Sequence, residues 1–444
     1  MNKMNMHPYA TIQQKTTSMN PVITSIYTAD PSAHVWNDGK IYVYASHDVD
    51  PPRGCDLMDR YHVFSSEDMV HWQDEGEILN SDDVSWGRPE GGFMWAPDCA
   101  YRNGTYYFYY PHPSGSDWND TWKIGVATSD KPASGFIDQG YIQGLGGFAM
   151  IDPAVWVDDD NRAYMYYGGG GVCAGVELND DMMTIHGDVQ VMEGLEDFHE
   201  AAWVFKREGR YYLTYADNLE GNNRMRYATS DHPLGPWTYQ GIFLEPTGCS
   251  TTHGSVVEFK GSWYLFYHNQ AISGEGTLRS VCIDELHFNE DGTIQNVRQT
   301  LDGVKPAPGG PTCSPKLEVY DAALCQVVGG AELKQAADGV TVATHLRSDT
   351  ACCRFGDIKG GSTGGRAEVG IVYGTAERLA KLRLSVNGTD YSFVNALGTG
   401  GIHERTGYTG ITVVLNAGNG NTVEWSGGHG EIAIEALIVK HLKD

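Results

Sequence analysis

The sequence predicts an all-β chain: a five-bladed β-propeller followed by a β-sandwich of jelly-roll type. Three observations carry this. A hairpin phrase, first seen in Thr28 to Tyr44, returns four more times; the returns are spaced by roughly 50 to 65 residues, the range of propeller and solenoid repeats. Each copy closes on an aromatic strand, such as Thr105-Tyr106-Tyr107-Phe108-Tyr109-Tyr110. Beyond a Pro- and Gly-rich break, Lys305 to Pro311, tyrosine becomes scarce and short strands alternate with Gly-rich turns.

In the first copy, Asn37-Asp38-Gly39 is the turn and Ile41-Tyr42-Val43-Tyr44 the returning strand. The next copies turn at Asn103-Gly104, at 158–162, at Glu208-Gly209 and at Lys260-Gly261. Five β-rich repeats of this size predict five blades with about four strands each. Ser-Ser-Glu-Asp at 65–68 and Thr-Ser-Asp at 128–130 and 229–231 recur with the same period and read as a strand ending in a tight turn. The expected division is an N-terminal segment over 1–19, a propeller over 20–310 and a sandwich over 318–444, with Ile411 to Gly418 and Glu431 to Val439 among its strands.

The chain has 444 residues and a formal net charge of −26. That charge argues against nucleic acid and against an anionic membrane surface, and fits a neutral substrate. No apolar run is long enough to span a membrane. The first residues lack an apolar stretch, so no secretory signal is expected; the default location is cytoplasmic, or extracellular if the N-terminus has been trimmed. The nine cysteines form no CxxC and read as free thiols. The 25 Tyr and 11 Trp suit both core packing and stacking on sugar rings.

The first strand of each hairpin begins near a chemically capable residue: Asp30, Asp98, Asp152, Glu200 and His253. In a propeller such equivalent positions converge on the axis. Asp30-Pro31 and Asp152-Pro153 fit strand starts, because proline cannot donate to a ladder. A single Asp-Pro is usually only a turn cap; three acids in phase with a repeat point to chemistry. Carboxylates held together repel, so one should keep its proton, and a protonated acid beside an ionised one is what glycoside hydrolysis requires.

Ala29-Asp30-Pro31-Ser32, Trp95-Ala96-Pro97-Asp98, Ile151-Asp152-Pro153 and Glu200-Ala201 resemble glycoside hydrolase family 43 over roughly residues 20 to 305. Ala201 stands where the family usually has glycine. The resemblance implies an inverting enzyme with Asp30 as general base, Glu200 as general acid and Asp152 as modulator of the acid. It implies Trp95 at the sugar site, Arg279 against sugar hydroxyls or the acid, and His253 meeting a calcium ion through water. Asp98 reads as structural. Single displacement requires base and acid roughly 6.5–9.5 Å apart. The loop-like stretches 54–59 and 118–122 are candidates for walls of the pocket. The context of Met94-Trp95 and Tyr110 to Gly115 is similar to the β-xylosidase/α-L-arabinofuranosidase branch, acting on xylo-oligosaccharide or arabinoxylan. A dedicated arabinofuranosidase and a non-catalytic sugar-binding propeller are the alternatives. The C-terminal part is similar to carbohydrate-binding module family 6 at Val414-Leu415-Asn416-Ala417-Gly418, Asn421-Thr422-Val423 and Gly427-Gly428, either binding sugar or buttressing the first domain.

Overall fold

The structure, a computed structural model, describes residues 16–50, 55–117, 121–146, 149–219, 223–310 and 316–442. The expectations for residues 1–15, Gly54, Trp118 to Asp120, Pro311 and Cys313 therefore lie outside the described residues. Among the described residues the regular structure is β, with short 3-10 turns at Cys55–Leu57, Ser81–Asp83 and Ala322–Leu324. The chain forms two compact units.

The larger unit is Thr17–Ile23 with Tyr27–Gly310. Its first antiparallel sheet holds Thr28–Val35, Ile41–His47, Arg60–Ser66 and Trp72–Asn80 (β1–β4). The second holds Asp98–Arg102, Thr105–Pro113, Trp122–Ser129 and Ile137–Tyr141 (β5–β8). The third holds Ala154–Val157, Ala163–Tyr167, Ala174–Leu178 and Ile185–Val191 (β9–β12). Glu200–Arg207, Arg210–Ala216, Met225–Ser230 and Thr238–Leu244 (β13–β16) form the fourth. Gly254–Phe259, Ser262–Asn269 and Ser280–Leu286 (β17–β19) form the fifth, which has three strands rather than four. Beside β19, the Val22 N–H donates to the Val281 carbonyl, and Asn20 exchanges side-chain bonds with Ile283. Ser18, Met19 and Asn20 donate backbone N–H groups to Val304, Asp302 and Leu301, so 18–19 are held rather than loose.

Each recurring hairpin forms where the sequence places it. Arg102 pairs Thr105, Arg207 pairs Arg210 and Phe259 pairs Ser262 across two-residue turns. Both turn residues have positive φ in all three: 52° and 90° at Asn103-Gly104, 52° and 80° at Glu208-Gly209, 50° and 82° at Lys260-Gly261. That is the type I′ geometry, whose twist matches the flanking strands. The recurring serines close the turn after the third strand: Ser66 Oγ accepts from the Met69 N–H, Ser129 Oγ from Lys131 and Ser230 Oγ from His232.

The aromatic strands are buried on both faces, which explains their density. In β6, Tyr106, Phe108 and Tyr110 pack toward the first sheet while Tyr109 packs toward the third. In β10, Met165 and Tyr167 face the second sheet; Tyr164 and Tyr166 face the fourth. In β14, Tyr211, Leu213 and Tyr215 face the third sheet and Tyr212 the fifth. Every sheet thus shares an apolar cluster with the next, and each fully buried side chain of this size contributes about 1.5–3 kcal/mol. The buried phenols find acceptors: Tyr44, Tyr109, Tyr166 and Tyr212 donate to the carbonyls of Pro132, Met182, Pro233 and Gly292.

The smaller unit takes Thr24–Ile26 and the described chain from 316 to 442. Its strands are Glu318–Asp321, Gln326–Val328, Glu332–Gln335, Thr341–Thr344, Cys352–Ile358, Gly365–Gly374, Leu379–Val386, Thr389–Leu397, Gly407–Leu415, Asn421–His429 and Ala433–His441 (β20–β30). One sheet runs β22-β23-β30-β25-β28 with β20 on β30; the other runs β21-β24-β29-β26-β27. β28 and β30 match the two strands expected from the sequence. Cys99, Cys173, Cys249, Cys282, Cys325, Cys352 and Cys353 are free and buried.

Candidate active site

The backbone aims the acids by local irregularity. Asp30 is not at the head of its strand but is the third residue of β1, at a bulge between Ala29 and Ser32 where Pro31 has no N–H to pair. Its φ is 51°, and Asp152, just before β9, has the same value. Glu200 opens β13, ahead of a second bulge whose Ala201 has φ 65°. Such left-handed positions in non-glycine residues cost energy and gather at functional sites. Ala201 adopts that conformation although it is not glycine.

The acids share one electrostatic environment. The Asp152 Oδ2 accepts the Ala201 N–H at 2.8 Å, which ties Asp152 to the residue after Glu200. Burial raises Asp152 well above the usual carboxylate range, and the charges of Glu200 and Asp30 add to it. Burial also raises Glu200; Asp30 adds to this, while His199, Arg279 and the Asn218 bond oppose it. Asn218 Nδ2 donates to Glu200 Oε1 at 3.0 Å, and His199 Nε2 lies 3.6 Å from Oε2. The Glu200 side chain is 17% exposed, against 8% for Asp30 and 7% for Asp152. Glu200 is the most exposed of the three.

Asp30 goes the other way. Burial is the largest influence and works to raise it, but Arg279 first, with His268, His253 and the bond from Ser46, together hold Asp30 below the usual range. Arg279 Nη1 donates to Asp30 Oδ1 at 2.8 Å, and Ser46 Oγ donates to Oδ2 at 2.7 Å. The histidines behind Asp30 are neutral. Burial takes His268 down to about 3 and lowers His253. His268 Nδ1 accepts the Asp30 N–H at 3.1 Å, so its Nε2–H donates to the Thr251 carbonyl at 2.9 Å. Asp30 is thus held below the usual carboxylate range while Glu200 and Asp152 are raised above it.

The model of the glycosyl hydrolases family 43 matches residues 18–294. The chain belongs to that family. A "Xylosidase/arabinosidase" of Bacteroides ovatus is 36% identical over 316 residues, covering 60% of this chain and 94% of the relative. "Xylosidase/arabinosidase 43A" of Humicola insolens is 37% identical over 333 residues, covering 62% and 98%. A solved family 43 β-xylosidase/α-arabinofuranosidase from a compost microbial metagenome, in complex with xylotriose and in a calcium-free form, is similar at 36% identity and TM-score 0.58, covering 63% of this chain and 97% of its own.

Within this family 43 site, the residues expected from the sequence fall into three groups. Asp30, Asp152, Glu200, Arg279 and His253 come together; His253 Nδ1 is 3.8 Å from Asp152 Oδ2. Trp95 stands beside them in an aromatic group with Phe93 and Trp122, packed against Ile151 next to Asp152. The Trp95 and Trp122 ring centroids are 4.2 Å apart, and the Tyr61 hydroxyl donates to the Trp95 carbonyl at 2.7 Å. Asp98 is closed in, accepting from Ser32 and the Val155 N–H and bonded to His34 at 2.7 Å, so it ties neighbouring sheets.

Arg279 differs in direction from its expected partners: its fork meets Asp48, Asp30 and Thr251. A calcium ion at His253 would be held largely through its water shell. Calcium takes six to eight oxygens, and no three His, Cys, Asp or Glu side chains among the described residues converge on a possible cation position. Asn218, Ser46, Asp48, His268 and Thr251 are marked by no motif; strand pairing of Ala29 with Ser46 and of Glu200 with Ala216 brings Ser46 and Asn218 near the acids.

Proposed function

We propose that this family 43 protein is an inverting exo-glycosidase releasing xylose and arabinose from xylo-oligosaccharide or arabinoxylan. The observation that carries it is the opposite displacement of two carboxyls in one buried cluster: Asp30 is held low beside Arg279 and Glu200 is raised by burial. Asp30 draws a proton from water, which attacks the anomeric carbon. Glu200 gives its proton to the leaving oxygen. Asp152 shares the negative charge of the pair. Asp152 and Glu200, both raised, share a proton between them, and the Ala201 N–H holds the Asp152 carboxyl beside the acid. Trp95 forms the apolar wall of the sugar site with Trp122 behind it. Xylopyranose and arabinofuranose present similar hydroxyl patterns, and the relatives bearing both names support one pocket for both. No step is assigned to calcium.

The five sheets, joined in series by shared clusters, read as five propeller blades, with residues 20–22 completing the last beside β19. On this reading the catalytic domain is 20–310. The two sheets of the smaller unit read as a sandwich over 318–444, similar to carbohydrate-binding module family 6.

The test compares 4-nitrophenyl β-D-xyloside and α-L-arabinofuranoside side by side, and follows the first-formed anomer by proton NMR. Turnover of both with inversion is expected. Net retention would overturn the roles of Asp30 and Glu200, and turnover of the arabinofuranoside alone would favour the dedicated arabinofuranosidase.

A further inference from the structure

Arg279, at the edge of β19, is gripped from behind by a second acid, Asp48, just past the end of β2. Arg279 Nε donates to Asp48 Oδ2 at 2.9 Å and Nη2 to Oδ1 at 2.8 Å. The Arg279 backbone N–H adds a third bond to Oδ2 at 2.7 Å. Asp48 is 1% exposed and Arg279 7%. A bidentate fork fixes the plane of the guanidinium. The remaining nitrogen, Nη1, is thereby aimed at Asp30 Oδ1 and Thr251 Oγ1, at 2.8 and 3.0 Å.

We propose that Asp48 is a positioning residue for hydrolysis: it fixes the Arg279 guanidinium and shares its charge, so that Arg279 aims the Asp30 carboxylate without weakening it as a base. This rests on the glycosidase reading above. Two needs conflict at Asp30. It must be ionised in a buried place, which calls for a cation. It must also pull a proton from water, and a carboxylate held by an undivided cation does that poorly. One cation between two buried carboxylates satisfies both. Arg279 is the largest positive influence on Asp30, ahead of His268 and His253. His268 Nδ1 is 3.7 Å away, but burial keeps both it and His253 neutral. Tyr61 and Cys249 are raised by burial and also neutral. Asp152 and Glu200 contribute negative charge or a shared proton.

The test is Asp48→Asn, which keeps the shape and removes the charge. The readouts are kcat, KM and the acidic limb of the kcat/KM profile on the aryl xyloside. Arg279 then pairs with Asp30 alone. We expect kcat to fall about tenfold or more with KM within about twofold, and the acidic limb to move to lower pH. A packing role alone would leave the limb in place. An unmoved limb, a limb moved to higher pH, or an unchanged kcat overturns the proposal. If Asp48→Asn does not fold, Asp48→Glu carries the test: it keeps the charge, so the limb should stay while kcat falls through displacement of the fork. Full kcat or a displaced limb in that variant overturns it equally. Turnover by the unaltered protein is the control: without it the glycosidase reading itself fails, and the Asp48 comparison is not reached.

Discussion

Glu200→Gln removes one proton and almost nothing else. Asn218 Nδ2 sits 3.0 Å from Oε1 and can donate to the amide oxygen as it does to the carboxyl. Gln has the same length, and the 17% exposure of the side chain leaves room for its NH2 group. The loss is therefore the worth of a positioned acid, about 10²–10⁴ in kcat, or roughly 3–5 kcal/mol of barrier. That loss should depend on the leaving group. The departing alcohol of xylobiose needs the proton; 4-nitrophenolate leaves without it. The assay is kcat on both substrates for the variant and the unaltered protein. The full loss is expected on xylobiose and a much smaller one on the aryl xyloside. The pH profile adds a second reading. Glu200 works protonated, so activity falls as pH rises through its value, which burial lifts above the usual carboxylate range. That basic limb should vanish in Glu200→Gln. Equal losses on the two substrates, or a surviving basic limb, would refute Glu200 as the acid.

Asp152→Asn removes a negative neighbour of Glu200, lets Glu200 ionise more easily, and should move the basic limb of the kcat profile down by about one pH unit or more. Trp95→Ala removes the aromatic wall and should raise KM for the xyloside several-fold to about tenfold with a smaller change in kcat, as Michaelis kinetics will read. Gly194→Ala tests the scaffold: φ there is 91°, and an added Cβ would lie 1.9 Å from the Trp237 carbonyl oxygen. The variant should lose about 1–3 kcal/mol in chemical denaturation without any change in the pH profile.

The hairpins were legible because their signals are local. Asn103-Gly104 and Lys260-Gly261 state their turn, and the alternating Tyr runs state their strands. The acids were legible because they keep phase with those hairpins. The tyrosine excess was only half legible: stacking on sugar and filling a core use the same residues, and the shared clusters between sheets assign Tyr44, Tyr109, Tyr166 and Tyr212 to the core. Asp48 and Asn218 were illegible. Each lies just past a strand end in no phrase that recurs, and nothing in its neighbours distinguishes it from a turn cap.

By itself the sequence determined the strands, the turns and which carboxyls stand at equivalent places, since these follow from periodicity and turn chemistry over a few residues. The tertiary structure alone decided that Asp30 is held below the usual carboxylate range and Glu200 raised above it. That outcome depends on burial and on an arginine 249 residues away in the chain, and interactions through space leave no trace in the order of residues.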